Sequence, residues 1–294
     1  MLRNDFIDFL SLLNFDNVSK SEILEIYDGF LANKDVREIY DSYLIPYKEK
    51  GVLDFADFCQ KAIPEISKIT NSHVFKTNIL CYPLAAYSSP FYEKAGVDYK
   101  VWYDSMIDFK CKFIESRLTV GVPCAMTNTW FKAWYYAERF CFTRLQFEPR
   151  KAKDSYKSAR FDVKEGEEFI TIHIPSMRDV SFSRENRQKS YKEAREYYEQ
   201  HLGHPFVIGC ESWLLADFHT EILPESSNIR GFTEEFERYR FKPHKLDLWR
   251  IYNIETDKLP DDEHLPEATD LQRRYKKFLL SGGMTGTSAG YLIE

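Results

Sequence analysis

Apolar and polar positions run in two rhythms along this chain, a helical one up to about Arg139 and a strand-like one after it. Both meet in the stretch from Glu168 to Leu215. Phe169-Ile-Thr-Ile-His-Ile174 reads as a strand, and Pro175 opens a turn after it. From Arg184 to His201 the pattern changes to a helix, with Tyr191, Ala194, Tyr198 and Leu202 on one face and charge on the other. Ser183 is placed to cap that helix, and Glu185 puts negative charge at the positive end of its dipole. Pro205-Phe-Val-Ile-Gly-Cys-Glu-Ser-Trp-Leu-Leu215 then returns to a strand pattern. Two apolar strands separated by a helix of this length need a crossover connection, which predicts parallel neighbours in one sheet with the helix on a face.

Upstream, helical spacing recurs in Phe6, Leu10 and Leu13, in Ile23, Ile26, Tyr27 and Phe30, and in Val36, Ile39, Tyr40 and Leu44. Ser19, with Glu22 three residues on, predicts a capping box for the second of these helices. A helix over Phe55 to Ile69 is expected to be interrupted at Pro64, and one over Tyr99 to Leu118 to end at Gly121 and Pro123. Asn128 to Glu138 reads as a short helix dense in aromatics. Cys141 to Glu148 alternates, with Phe142, Arg144, Gln146 and Glu148 on one side of a predicted strand. Ala159 to Val163, a turn at Lys164-Glu-Gly166 and the Phe169 strand suggest an antiparallel ribbon. Beyond Leu215 the pattern predicts a helix from Asp217 to Leu223 and a turn over Ser226 to Gly231. It then predicts a helix from Glu234 to Arg240 capped by Thr233 and a strand from Leu246 to Ile254. A charged helix from Thr269 to Leu280 and a strand-like tail after Gly282-Gly283 follow. The fold class is mixed α/β (α+β), with a helical domain over 1–120 and a sheet-bearing domain over 121–294.

Charge narrows the function. A net charge of -6 and a pI near 5.8, with no basic stripe, argue against a nucleic-acid backbone as partner. The acids in Met1-Leu-Arg-Asn-Asp-Phe-Ile-Asp8 come too early for a signal peptide, and no apolar run is long enough to span a membrane, so a cytoplasmic protein is expected. The six cysteines form no C-x-x-C and sit in apolar settings, the pattern of reduced, buried thiols. No P-loop, G-x-S-x-G, G-x-G-x-x-G after a strand, H-E-x-x-H or paired-cysteine zinc signature occurs. His201 and His204 lack a third ligand nearby in sequence, so no metal is expected.

Two constellations remain. The loop after the Phe169 strand feeds a helix N-terminus, whose free N–H groups favour an anion, and Arg178, Arg184, Arg187 and Lys189 ring it. The plainer reading is a set of solvated charges on a surface helix. If the two strands are parallel neighbours, His173 and Glu211 lie side by side near their C-terminal ends, where open parallel sheets place ligands. Either group could take a proton from an amine or alcohol; equally, both could be satisfied by backbone partners. Cys210 is a weaker nucleophile candidate because Val207 and Ile208 suggest burial.

Several short runs together resemble a family: Arg144-Leu-Gln-Phe-Glu148, Ile172-His-Ile-Pro175, Cys210-Glu-Ser-Trp-Leu-Leu215, Ser227-Asn-Ile229 and Leu265-Pro-x-x-Thr269-x-Leu-Gln-Arg273. They are similar to bacterial acyltransferase-domain proteins that join an N-terminal N-acyltransferase domain to a GNAT-like C-terminal domain. The likeness covers Thr119 to Glu294, with the earlier residues matching only as a helical leader. It implies a helical N-terminal region packed on a GNAT-like mixed sheet with flanking helices. It also implies acyl-CoA as co-substrate and a small-molecule amine as acceptor. By that resemblance Ile172, His173, Ile174 and Pro175 are the pantetheine strand. Ser176 to Arg187, with Arg178, Ser183, Arg184 and Arg187, is the phosphate site, and Glu211, Ser212 and Trp213 form the splayed partner strand. Ser176-Met-Arg-Asp-Val-Ser-Phe-Ser183 stands where the family carries a Gly-containing phosphate loop. His173 or Glu211 would be the base, and Gln146, Glu148 and Trp213 would shape the acceptor pocket. The alternatives are a GNAT-like scaffold without catalysis, and a hydrolase using Glu211 with Asp179 or Glu148.

Overall fold

The structure is a computed structural model and describes residues 2–293. The chain forms two compact units, one of residues 1–141 with 176–178 and one of residues 142–175 with 179–294.

The first unit is helical. The second helix, Asn17–Ala32, is capped by Asp16, whose carboxylate accepts from the Ser19 amide at 2.9 Å. The predicted cap Ser19 lies inside the helix, because Asp16 offers a stronger acceptor one turn earlier. Around Pro64 the chain stays helical: a π turn over Phe58–Ala62 precedes Ile63–Ile69, so the proline falls at a helix start where it has no N–H to lose. The long helix Tyr99–Val120 is capped by Asp98 and stopped by left-handed Gly121. Its Phe109 stacks on Phe131 with centroids 4.5 Å apart. Buried Arg139 lies with its guanidinium 3.7 Å from the centre of the Trp130 ring.

The second unit is built on a mixed sheet. The strands in chain order are β1 (Phe140–Phe142), β2 (Leu145–Lys151), β3 (Tyr156–Lys157), β4 (Asp162–Val163), β5 (Glu168–His173), β6 (Ile208–Ser212), β7 (Phe236–Pro243) and β8 (Gly286–Leu292). Six of them form one sheet in the order β1-β2-β5-β6-β8-β7, and β3 with β4 makes a separate ribbon. β5 and β6 are parallel and joined by the helix Arg184–Leu202, as the crossover argument requires; β2 with β5, β6 with β8 and β7 with β8 pair antiparallel. Tyr191, Ala194 and Tyr198 of that helix are buried, and Tyr198 donates its hydroxyl to the Phe147 carbonyl at 3.1 Å.

Four predicted elements differ. The strand expected over Cys141 to Glu148 is broken by a turn at Thr143, whose φ of 50° lies in the left-handed region. The antiparallel partner of β5 in the sheet is β2, not the segment that ends at Val163. Ser227 caps a helix over Asn228–Glu234, and the residues expected to continue as a helix to Arg240 form the edge strand β7. Leu246 to Ile254 is not a strand: Trp249–Tyr252 is a single helical turn whose Ile251 and Tyr252 join Phe218, Leu265, Tyr275 and Leu279 in an apolar cluster. Among the described residues no helix is long and apolar enough to cross a membrane, and all six cysteines are buried.

Candidate functional site

The parallel ladder between β5 and β6 is short. Its register pairs are Ile170 with Ile208, Thr171 with Gly209 and Ile172 with Cys210. β5 continues beside β2 as far as His173, which stands opposite Gln146, while β6 continues beside β8 as far as Ser212. The two strands therefore part after Ile172 and Cys210, each held by its other neighbour. A gap between parallel strands leaves backbone groups without a ladder partner, ready for an extended ligand.

Alternation puts Gln146, Glu148, Thr171, His173 and Glu211 on one face of this region. His173 Nε2 lies 3.0 Å from Glu148 Oε1, off the line of a straight hydrogen bond, with Glu148 buried and the His173 side chain 21% exposed. Arg150 donates to the same carboxylate oxygen from its Nε. An imidazole beside a buried carboxylate has the parts of a proton acceptor and its orienting partner. Gln146 is 1% exposed, and neither its amide nitrogen nor its amide oxygen has a partner among the described residues. Glu211 is half exposed and lies 3.1 Å from Arg240 Nη2; Arg240 is also bonded to Asp154.

This face opens into a cavity of about 540 Å³ whose lining includes Thr171, His173, Glu211, Arg240 and the rings of Phe169 and Tyr291. Gly209 is needed beneath those rings: a Cβ there would meet Phe169 at 3.0 Å and Tyr291 at 3.1 Å. Cys210 points to the opposite face, where burial pushes its thiol well above the ordinary range and disfavours a nucleophilic thiolate.

The remaining predicted residues divide. Ile174 and Pro175 follow β5 off the sheet. Ser183 caps the crossover helix, accepting from the Asn186 amide at 3.3 Å, and Arg184 is exposed in the first turn. Arg187 is buried and grips Glu235 with two bonds of 3.0 and 2.7 Å, while its Nη1 donates to the Phe182 carbonyl. Arg178 belongs to the first unit, donating to the Asp104 carbonyl at 2.7 Å. Ser212 accepts from the Leu214 amide at 3.2 Å. Trp213 packs with Tyr275 and with His219, whose pKa burial lowers to about 4, and it does not line the His173 cavity. Thr171 was legible beside His173 from strand alternation alone; Arg240, in a segment that reads as helix, was not. Among the described residues no group of three or more His, Cys, Asp or Glu side chains could hold a metal ion.

Residues 140–292 match the model of the GNAT-like C-terminal domain. The chain belongs to this family. The GNAT-like domain thus spans the whole sheet, including the parting of β5 from β6. Solved structures with the same fold extend over both units. One is an acyltransferase in complex with decanoyl-CoA and teicoplanin, 16% identical with a TM-score of 0.68. A second is an acyltransferase with CoA and 10C-Teicoplanin, 15% identical with a TM-score of 0.68. A third is an acyltransferase with decanoyl-CoA, 18% identical with a TM-score of 0.65. In each case 97% of this chain and 86% of the other is covered. At these identities the likeness is one of fold. Among curated proteins none matches the sequence.

Proposed function

We propose that this GNAT-like chain is an acyl-CoA-dependent N-acyltransferase that moves an acyl group to the amine of a small molecule. The observation that carries this reading is the parting of β5 from β6 beside His173. The backbone of Ile172 to Pro175 would hold the pantetheine arm by main-chain hydrogen bonds, with the thioester beside His173. Arg184 and the free N–H groups of the first helical turn would meet the pyrophosphate. Arg178 and Arg187 are assigned to internal ion pairs instead. The acceptor nitrogen attacks the thioester carbonyl carbon, forming a C–N bond. Its proton passes to the imidazole of His173, Glu148 steadies the imidazolium, and the C–S bond breaks to release the CoA thiolate. Glu211 is the second candidate for the proton. Gln146, with a donor and an acceptor both unused, would hydrogen-bond the acceptor molecule. The acyl-CoA complexes of the structural neighbours support the co-substrate.

One observation favours a second reading, a binding protein without turnover: only Arg184 of the expected arginines stands exposed at the helix start. Calorimetric titration with acetyl-CoA and decanoyl-CoA, followed by thiol release with an amine acceptor, separates the two. Micromolar binding weakened by roughly fivefold in Arg184→Ala is expected for one exposed charge-assisted contact. No saturation at millimolar acyl-CoA would remove the acyltransferase reading, and binding without thiol release for any amine would favour the second.

A further inference from the structure

Strand alternation brings three side chains of different chemistry into one line beside the cavity. Glu148 and Arg150 are two residues apart on β2 and share a face, and the β2–β5 register sets them opposite Thr171 and Phe169, on the face that carries His173. Arg150 donates from Nε to Glu148 Oε1 at 2.5 Å, and its Nη2 turns to the same oxygen. That oxygen is also the one 3.0 Å from His173 Nε2. One carboxylate oxygen is thus shared by a guanidinium and an imidazole. The glutamate side chain is 6% exposed and the arginine 57%, so the pair runs from solvent into the sheet. Between them stands Pro149, whose ring fixes one backbone torsion and so narrows the relative placement of the two side chains. Arg150 and His173 both line the cavity.

A carboxylate with so little contact with water needs a cation for its burial alone, and an arginine two residues away is the simplest source. The shared oxygen argues for more, because Arg150 places both nitrogens on the one oxygen that faces the imidazole. We propose that Arg150 is a positioning residue for acyl transfer: it pins Glu148 Oε1, so that the carboxylate holds the His173 ring in place while the ring takes the acceptor's proton. This rests on the acyl-transfer reading with His173 as the base. A glutamate side chain has several rotatable bonds, and a partner that must be re-ordered in each turnover stabilises less than one already in place. The guanidinium charge itself works against an imidazolium, so orientation, not added negative charge, is what Arg150 supplies.

Thiol-release kinetics and NMR on the full chain test this together. Arg150→Ala should lower kcat about tenfold, a part of the roughly 10²- to 10⁴-fold that a positioned base contributes, with KM for acceptor and acyl-CoA held within about twofold. Arg150→Lys should recover most of that loss, because both arginine contacts fall on a single oxygen, which one ammonium can also reach. In a Glu148→Gln background Arg150→Ala should change kcat by less than about twofold, since its route to His173 is gone. The imidazole nitrogen signals of His173, assigned by their loss in His173→Gln, should move or broaden in Arg150→Ala, but show no further change when Arg150→Ala is added to Glu148→Gln. A raised KM at unchanged kcat would overturn the proposal, Arg150 then binding substrate. So would full activity in Arg150→Ala, no recovery in Arg150→Lys, additive losses in the double variant, or His173 signals indifferent to Arg150. If the wild type releases thiol with no amine, the acyltransferase reading fails by itself, and the His173 signals alone decide whether Arg150 orders the ring.

Discussion

The two faces of the sheet in the second unit come from the same strands and have opposite characters. One carries Leu145, Phe147, Ile170, Ile172, Ile208 and Cys210, all no more than 3% exposed, and is closed by the crossover helix. The other carries Gln146, Glu148, Thr171, His173 and Glu211, of which Thr171, His173 and Glu211 line an open cavity. Folding alone would favour apolar residues wherever side chains are buried, because a buried polar group without a partner costs free energy. Gln146 and Glu148 are nevertheless buried on the second face. Strand alternation is therefore a packing device on one side and a way of holding reactive groups on the other, and departures from the packing rule mark where a ligand is expected.

Substitutions on the two faces should separate activity from stability. The largest effect is expected for His173→Ala, which should slow acyl transfer by about 10²- to 10⁴-fold, the usual range for loss of a general base. Because its side chain is partly exposed, the thermal midpoint should move little. Thiol release and scanning calorimetry on the same sample would check this, and a large drop in midpoint with normal turnover per folded molecule would contradict it. On the closed face Tyr198→Ala should cost about 3 to 5 kcal/mol in urea unfolding, from lost burial and the lost bond to Phe147, with turnover per folded molecule preserved. The smallest effect is the most discriminating. Gln146→Leu removes two unpartnered polar atoms, so it should raise stability by roughly 1 kcal/mol while weakening acceptor use. A clear loss of stability would mean that the amide serves the fold.

The central unit was legible because its rhythms are strong and its spacing allows only a crossover. Tyr191, Ala194 and Tyr198 mark one helix face, and the apolar runs on either side are too far apart for a hairpin. β7 was not legible for a local reason. Its register shifts between Arg238 and Arg240, so Phe236, Tyr239 and Phe241 are spaced three and two apart, and the first interval imitates a helical turn. The apolar run from Leu246 misleads differently: short buried runs read alike in strand and helix, and only the cluster around Tyr275 decides. In the site, the neighbourhood of His173 and Glu211 followed from parallel strands. The approach of Glu148 to His173 needed the β2–β5 register, a long-range fact that no local pattern encodes. The arginines show the same limit. Charge is visible in sequence, but Glu235 as the partner of Arg187 and Asp104 as that of Arg178 are not.

β8 lies inside the sheet, between β6 and β7, although it is the latest of the sheet's strands along the chain. On the ribosome β2, β5 and β6 emerge with one flank of β6 open, and β7 emerges with no neighbour at all. Neither can be completed until Gly286–Leu292 is available. From Ser212 until Gly286–Leu292 is made, the nascent chain thus carries unsatisfied strand edges, the kind of surface that joins other chains when left waiting. Closure of the sheet between β6 and β7 is therefore a late event, one that waits for Gly286–Leu292.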